Sequence, residues 1–258
     1  MNEVMEELST ADYKEQFVAF IDILGYSEIL KNSTNPVGDI AIIQGLMDAY
    51  KKAADGTKII NSVVFSDSMY ITSGDLKEMI RFISQLQVNL LDAMEIRTDA
   101  SDLKNGLKVE YGGDGRLLRG GIAYGSAYTS PKNSNSAIIT GPAVLTAYKL
   151  ESIVAVYPRI VLDLKACKHI AGHEKKFCLK QDKDGLWYVD FLSCYYRMII
   201  DDYRSGRTTK RDMIENHKDT IMQWEKWTDN KIKGTNSEKI MQKYCWFMNY
   251  LKGAEYIE

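Results

Sequence analysis

The pattern of apolar and polar positions predicts short strands alternating with longer helices. Phe17–Ile21 is a compact apolar run rich in β-forming residues, which predicts a buried strand ending at Asp22. Two further runs, Lys58–Phe65 and Ser68–Thr72, are separated by only two residues. They predict a β-hairpin with Asp67 at or beside its tip.

The same criteria predict the other elements up to residue 191. Helices are expected over Ser27–Lys31, Asp39–Ala54, Asp75–Met94 and Pro142–Ser152; strands over Leu117–Tyr124, Ser126–Thr129, Ala137–Thr140, Arg159–Leu164 and Leu186–Phe191; and an exposed loop over Arg97–Gly115.

The chain after Leu192 has a helical pattern with a dense aromatic content and predicted breaks at Ser205-Gly206 and Lys233–Asn236. We therefore predict an α/β (α+β) domain over residues 15–191. A helical extension over residues 192–258 is expected to pack on this core.

Composition and charge exclude several classes of protein. The 258 residues carry 33 Lys and Arg against 35 Asp and Glu, a net charge of −2, which argues against a general binder of nucleic acid or anionic membranes. Apolar runs fall short of the roughly 18–20 residues of a membrane span, and the acidic N-terminus is unlike a signal peptide. The four cysteines form no C-x-x-C pair, which is typical of free thiols. We expect a cytoplasmic protein.

The clearest candidate chemistry lies at Asp22 and Asp67, which both end apolar strands. If these strands are neighbours, the two carboxylates meet at one end of the sheet, where they raise each other's pKa unless a cation neutralises them. Oxygen ligands of this kind suit Mg²⁺ or Mn²⁺ shared with substrate phosphates. Alternatively, Asp22 caps the helix that follows and Asp67 serves its own turn.

The segment after Asp22 favours phosphate binding. Leu24-Gly25-Tyr26 is a turn that leads into a helix, and free backbone N–H groups at such a position can hold phosphate. Metal ligands beside a phosphate site are what triphosphate chemistry requires.

Four motifs in order resemble those of the class III nucleotidyl cyclases. Phe20–Tyr26 resembles F-x-D-I-x-G-F/Y, Ser66-Asp67 resembles the hairpin G-D, and Arg119–Gly125 resembles R-x-G-I-H-x-G. Gly141–Glu151 aligns without gaps on G-D-x-V-N-x-A-x-R-L-E. The resemblance covers roughly Phe17 to Glu151 and implies a βαββαβ, ferredoxin-like cyclase core that serves as the catalytic domain.

The resemblance also implies roles for single residues. Two Mg²⁺ or Mn²⁺ ions are expected on the metal ligands, and the triphosphate is expected on the turn and on basic side chains. The metal ligands are Asp22, Asp67 and the Ile23 carbonyl; the substrate or phosphate contacts are Phe20, Leu24, Gly25, Tyr26, Arg119 and Lys183.

Departures from the family pattern concern the transition state and the base. The family's Asn and Arg fall on Leu145 and Lys149, so Lys149 keeps the charge but not the bidentate geometry. The positions that read adenine fall near Val63 and Ile138, both apolar, and Asn61 is a third candidate for the base pocket.

This altered pattern resembles the bacterial pyrimidine nucleotide cyclases of the Pycsar anti-phage system. The resemblance implies a homodimer, with active sites at the interface, that converts UTP or CTP to cyclic UMP or cyclic CMP. UTP is favoured, and a separate effector would respond to the product. The alternatives are a purine cyclase and a cyclase-fold nucleotide sensor or dimerisation module without ordinary catalysis.

Overall fold

The structure is a computed structural model that describes residues 12–31, 33–34, 36–55, 57, 61–92, 95–97, 110–112, 115–130 and 138–253. These residues form two compact units. The sheet unit comprises the described residues within Met1–Asp22, Gly56–Ile80 and Arg119–Val189. The helical unit comprises those within Ile23–Asp55, Arg81–Leu118 and Asp190–Glu258.

The described residues form ten β-strands, numbered in chain order. They are β1 (Lys14–Ile23), β2 (Asn61–Phe65), β3 (Ser68–Ser73), β4 (Glu95–Arg97), β5 (Glu110–Gly112), β6 (Leu118–Thr129), β7 (Ile139–Thr140), β8 (Ile160–Leu162), β9 (Leu179–Gln181) and β10 (Trp187–Val189).

The α-helices within the described ranges are α1 (Tyr26–Lys31), α2 (Pro36–Ala54), α3 (Leu76–Leu91), α4 (Pro142–Lys149), α5 (Leu164–Ile170), α6 (Phe191–Arg204), α7 (Lys210–Gly234) and α8 (Glu238–Lys252). A π-helical turn over Leu150–Val154 continues α4, and a 3-10 turn covers Glu174–Phe177. No helix in the described part of the chain is long and apolar enough to cross a membrane.

The main sheet has the order β2-β3-β1-β6-β8-β10-β9, and β7 pairs with β6. The β1–β3 and β2–β3 pairs are antiparallel, whereas β6 and β8 are parallel. The first predicted strand and the predicted hairpin are thus confirmed, with residues 58–60 outside the described ranges, and the structure shows that they are neighbours in one sheet.

The strand register determines which side chains share a face. Phe20 lies opposite Tyr70, which lies opposite Val63, while Asp22 lies opposite Ser68. Side chains two apart along a strand point to the same side. The side chains of Phe20, Tyr70 and Val63 therefore occupy the same face of the sheet as that of Asp22.

Helix α4 packs on this face through small residues. Ala143, Val144 and Ala147 form a buried cluster with residues of β1 and β6, among them Val18 and Ala123. Short side chains let the helix axis lie close to the sheet.

Two glycines in β6 extend this close approach. A Cβ at Gly120 would meet the Phe20 carbonyl oxygen of the neighbouring strand, and one at Gly121 would meet Leu150 Cβ and the Ala147 carbonyl. These positions accept only glycine without a shift of backbone or helix.

The helical unit has its own core around the C-terminal helices. The Trp224 indole N–H donates to Asp92 (3.0 Å), and the Tyr250 hydroxyl accepts from the Leu192 N–H (3.0 Å). Helices α6, α7 and α8 confirm the predicted helices after Leu192 and their breaks.

Three predictions of local structure were wrong. The predicted strand pair Leu117–Tyr124 and Ser126–Thr129 is the single strand β6, because the chain stays extended through Gly125 (φ +158°). The predicted loop at Arg97–Gly115 includes Arg97 of β4 and all of β5, which pair with each other. The predicted strand over Arg159–Leu164 stops at Leu162, because the Asp163 carboxylate accepts the Ala166 N–H and caps α5.

We expect Gly121→Ala to lower the free energy of unfolding by about 1–3 kcal/mol, because the new methyl group would overlap α4. Gly45→Ala is the matched control: Gly45 lies inside α2 with open space around its Cβ position, so alanine should raise stability by about 0.5–1 kcal/mol. Urea unfolding followed by circular dichroism measures both. Equal effects of the two substitutions would refute the close approach.

Candidate active site

Asp22 lies near the end of β1, at a partly buried position. Its side chain is 17% exposed, and the Ser68 hydroxyl on β3 donates to its Oδ1 (3.1 Å). The hydrogen bond follows from the register, because Asp22 and Ser68 are directly opposite each other.

Asp67 reaches the same place from the two-residue loop between β2 and β3. The loop depends on Ser66, whose φ of +55° is a left-handed conformation that favours glycine. Glycine is the residue that the resembled family has here.

The two carboxyl groups interact directly. Burial, a hydrogen bond with the Asp67 carboxyl and the charges of Asp67 and Glu151 raise the pKa of Asp22 from 3.8 to about 7, against an opposing effect of Arg119. The expectation that Asp22 and Asp67 converge at one end of the sheet is met, and their mutual repulsion is the physical result.

Arg119 and Glu151 complete this cluster. Arg119 Nη2 lies 3.4 Å from Asp22 Oδ2 and 2.5 Å from Glu151 Oε1. The Glu151 side chain is 5% exposed, in the π-helical turn that follows α4. Arg119, predicted as a phosphate contact, thus bridges two carboxylates.

The residues present fit a divalent cation. Within the described ranges, no group of three or more His, Cys, Asp or Glu side chains could hold a metal ion. Two adjacent carboxylates do suit Mg²⁺, which is usually bound by one or two carboxylates and completed by water and substrate phosphates. Asp22 and Asp67 would hold the ion, and Ile23, the last residue of β1, stays a predicted carbonyl ligand.

An aromatic group lies beside the acidic cluster. The Phe20 ring is 4.5 Å from Tyr70 and 5.5 Å from Tyr148, between ring centroids. Phe20 is only 8% exposed, so its position is that of a core residue, and its apolar ring offers no hydrogen bond to phosphate. Burial, followed by the influence of Tyr148 and Glu151, raises the pKa of Tyr70.

The predicted base-pocket residues lie at different places in the sheet unit. Asn61 and Val63 are half-buried on β2, in register with Thr72 and Tyr70 respectively. Ile138 is 48% exposed, just before β7, and its backbone exchanges hydrogen bonds with Ser130. Their contact with a base stays a prediction.

The two predicted basic contacts are exposed. Lys149 is the last residue of α4, two residues before Glu151, and Leu145 on the same helix is 63% exposed. Lys183 lies in the turn between β9 and β10, where its N–H donates to Asp182 (2.7 Å). No contact of the described residues draws either lysine to the acidic cluster.

One predicted phosphate donor has another partner. The Leu24 N–H donates to the Leu117 carbonyl (2.8 Å), so Leu24 does not offer the free backbone group that was predicted. Gly25 adopts φ +83° in the turn and Tyr26 begins α1, and both stay predicted phosphate contacts.

The sequence prediction missed Glu151, Ser68, Tyr70 and Tyr148 as site residues. Glu151 stood in the matched motif, but its burial depends on how α4 packs. The period-two alternation of β3 was the available signal for Ser68 and Tyr70, once the register with β1 is known.

Comparison with known proteins identifies the fold. No protein-family model and no curated protein matches the chain. The monomeric guanylyl cyclase domain of the RhoGC fusion protein from the aquatic fungus Blastocladiella emersonii is similar at TM-score 0.50 and 16% identity, over 69% of this chain and 95% of that one. The chain has the fold of a nucleotide cyclase domain. This confirms the predicted α/β core with a cyclase-like fold, and the structure itself places helices after that core.

Two more solved structures are similar at lower scores. The guanylate cyclase domain of RhGC from Catenaria anguillulae in complex with GTP has TM-score 0.48 at 15% identity, over 69% of this chain and 97% of that one. The adenylyl cyclase CyaB from P. aeruginosa has TM-score 0.47 at 17% identity, over 69% and 94%. At such identities the likeness concerns the fold alone.

The raised pKa of Asp22 predicts how the stability of the metal-free protein depends on pH. Because folding raises this pKa from 3.8 to about 7, the native state holds the proton more tightly, and stability falls as pH rises between these values. In EDTA at pH 8, we expect the free energy of unfolding of Asp22→Asn to exceed that of the wild type by up to about 4 kcal/mol.

Urea unfolding from pH 4 to pH 8 measures this effect. Asp48→Asn is the control, since the Asp48 side chain is 67% exposed, and it should keep the pH dependence of the wild type. An unchanged pH dependence in Asp22→Asn would contradict the assigned pKa.

Proposed function

We propose that the protein is a pyrimidine nucleotide cyclase that converts UTP, or else CTP, to the 3′,5′-cyclic nucleotide and pyrophosphate. The observation that carries this proposal is the pair of interacting carboxyl groups, Asp22 and Asp67, at one end of a cyclase-type sheet. A purely structural core has little use for two adjacent carboxyl groups that repel each other.

The proposed reaction is an in-line displacement at the α-phosphorus. The ribose 3′-hydroxyl gives its proton to solvent water and its oxygen bonds to the α-phosphorus, while the bond from that phosphorus to the α–β bridging oxygen breaks and pyrophosphate leaves. Bound Mg²⁺ or Mn²⁺ ions, two per site, would neutralise phosphate charge and lower the pKa of the 3′-hydroxyl. The protein's own contribution is positioning and electrostatics.

Asp22 and Asp67 are the proposed metal ligands, with the Ile23 carbonyl. Arg119, 26% exposed beside them, is the proposed contact to the triphosphate. Lys149 at the end of α4 and Lys183 in the β9–β10 turn are further proposed cationic contacts.

The proposed pyrimidine preference is supported by the residues near the predicted base site. Val63 and Ile138 are apolar, so they cannot read the edge of adenine by hydrogen bonds. Asn61, half-buried on β2, offers an amide with both donors and an acceptor to a pyrimidine edge.

A homodimer with active sites at its interface is part of the same proposal. The sheet unit exposes several large apolar side chains that a partner subunit would cover. They are Phe65 (80% exposed), Ile153 (71%), Leu145 (63%) and Tyr148 (48%). We further propose that the enzyme works in the cytoplasm in anti-phage defence and that a separate effector responds to its product.

Leu145 supports a second candidate function. It stands where the resembled family has the Asn that contacts the transition state, and its side chain offers no hydrogen bond. A nucleotide sensor or dimerisation module with the cyclase fold would tolerate this change. Such a protein would bind nucleotide tightly and release no pyrophosphate.

The deciding experiment incubates the protein separately with UTP, CTP, ATP and GTP and Mn²⁺, and identifies products by mass spectrometry. We expect cyclic UMP or cyclic CMP as the main product. A cyclic purine would refute the pyrimidine preference, while bound nucleotide without pyrophosphate would favour the sensor.

We expect Asp22→Ala and Asp67→Ala to lower product formation by more than about 100-fold while the proteins stay folded, because each removes a proposed metal ligand. Asp48→Ala is the matched control, at an exposed position on α2, and should keep wild-type turnover. Wild-type turnover in either site variant would sink the metal assignment.

A further inference from the structure

One nitrogen of Arg119 serves two carboxylates at once. Its Nη2 lies 2.5 Å from Glu151 Oε1 and 3.4 Å from Asp22 Oδ2. The contact with the buried Glu151 is the shorter, and the contact with the metal-ligand candidate Asp22 is the longer.

We infer that Arg119 occupies Asp22 as a substitute cation in the metal-free protein, and that Glu151 is the positioning residue that retains Arg119 when a divalent cation takes its place. The inference rests on the proposed function only in placing the metal at Asp22. It gives Glu151 a role in metal affinity.

The backbone of Arg119 is held in position by its neighbours. Gly120, the next residue, lies against the Phe20 carbonyl of β1, and Gly121 lies against Ala147 of α4. Because strand and helix leave no space here, the backbone of Arg119 cannot move. Only its long side chain can leave Asp22 and stay with Glu151.

Charge and burial decide which contact gives way. A divalent cation at Asp22 repels a guanidinium group at the same carboxylate. Glu151 is 5% exposed, so loss of Arg119 would withdraw a nearby positive charge from a buried carboxylate, which is strongly unfavourable. Arg119 therefore releases Asp22 and keeps Glu151.

The test measures the binding of Mn²⁺ alone, without nucleotide. Binding is monitored by electron paramagnetic resonance as the loss of the signal of free Mn²⁺. We expect Arg119→Met to bind Mn²⁺ about tenfold more tightly, because the competing cation is gone, and Glu151→Gln to bind it about tenfold more weakly, because Arg119 then stays on Asp22. Lys180→Met, on the exposed face of β9, removes a positive charge elsewhere in the sheet unit and should leave the affinity unchanged.

The double variant Arg119→Met/Glu151→Gln separates retention from simple charge. It leaves neither partner charged, so it serves also where Arg119→Met alone fails to fold. Relative to Glu151→Gln it should bind Mn²⁺ more tightly by clearly more than about tenfold, with an affinity close to that of Arg119→Met. The Glu151→Gln effect should be smaller in the Arg119→Met background than in the wild type, and equal effects in both backgrounds would overturn the inference.

Two further outcomes bear on the inference separately from the proposed function. If the wild type makes cyclic nucleotide but Arg119→Met, Glu151→Gln and the double variant all bind Mn²⁺ with wild-type affinity, the inference alone is overturned. A wild type that binds no Mn²⁺ also overturns the inference. If the wild type makes no product, but Arg119→Met binds Mn²⁺ more tightly and Glu151→Gln binds it more weakly, the inference is supported and the cyclase proposal is refuted.

Discussion

The interaction between Asp22 and Asp67 is the constraint around which the sheet unit is organised. Two carboxyl groups in a partly buried place repel each other, and burial, followed by the Asp67 carboxyl, raises the pKa of Asp22 to about 7. A network of partners limits the cost. Ser68 donates to Asp22, and Arg119 supplies positive charge, itself anchored by Glu151. The pair of carboxyl groups thus lowers the stability of the fold and creates a local environment that favours cations.

The main features of the fold were predictable because they depend on local periodicity. A five-residue apolar run was enough to place Asp22 at the end of a strand, and a two-residue gap was enough to place Asp67 in the turn of a hairpin. The pairing of that strand with the hairpin is seen only in the structure. The helices after Leu192 followed from their apolar spacing. Helix α5 was missed because an apolar strand pattern runs into it, and only the capping role of Asp163 marks the boundary.

The remaining parts of the site depend on packing between segments far apart in the chain. Glu151 becomes buried because α4 lies directly against β6, and no local pattern shows that a glutamate between Leu150 and Ser152 points inward. Leu24 lost its predicted role for a similar reason, since the carbonyl that takes its N–H is at Leu117. A motif can indicate which residues carry the chemistry, but partners of this kind follow only from the tertiary structure.

The close contact of β6 with α4 has a consequence for how such a site can adapt to different nucleotides. Gly120 and Gly121 leave no free volume between strand, helix and neighbouring strand, so the backbone beside the proposed phosphate contact Arg119 cannot widen or narrow the site. Variation is left to the exposed rim, where Leu145 and Tyr148 stand on the outer side of the same helix. Evolution of substrate range in this fold would therefore proceed by exchange of rim side chains over an unchanging backbone.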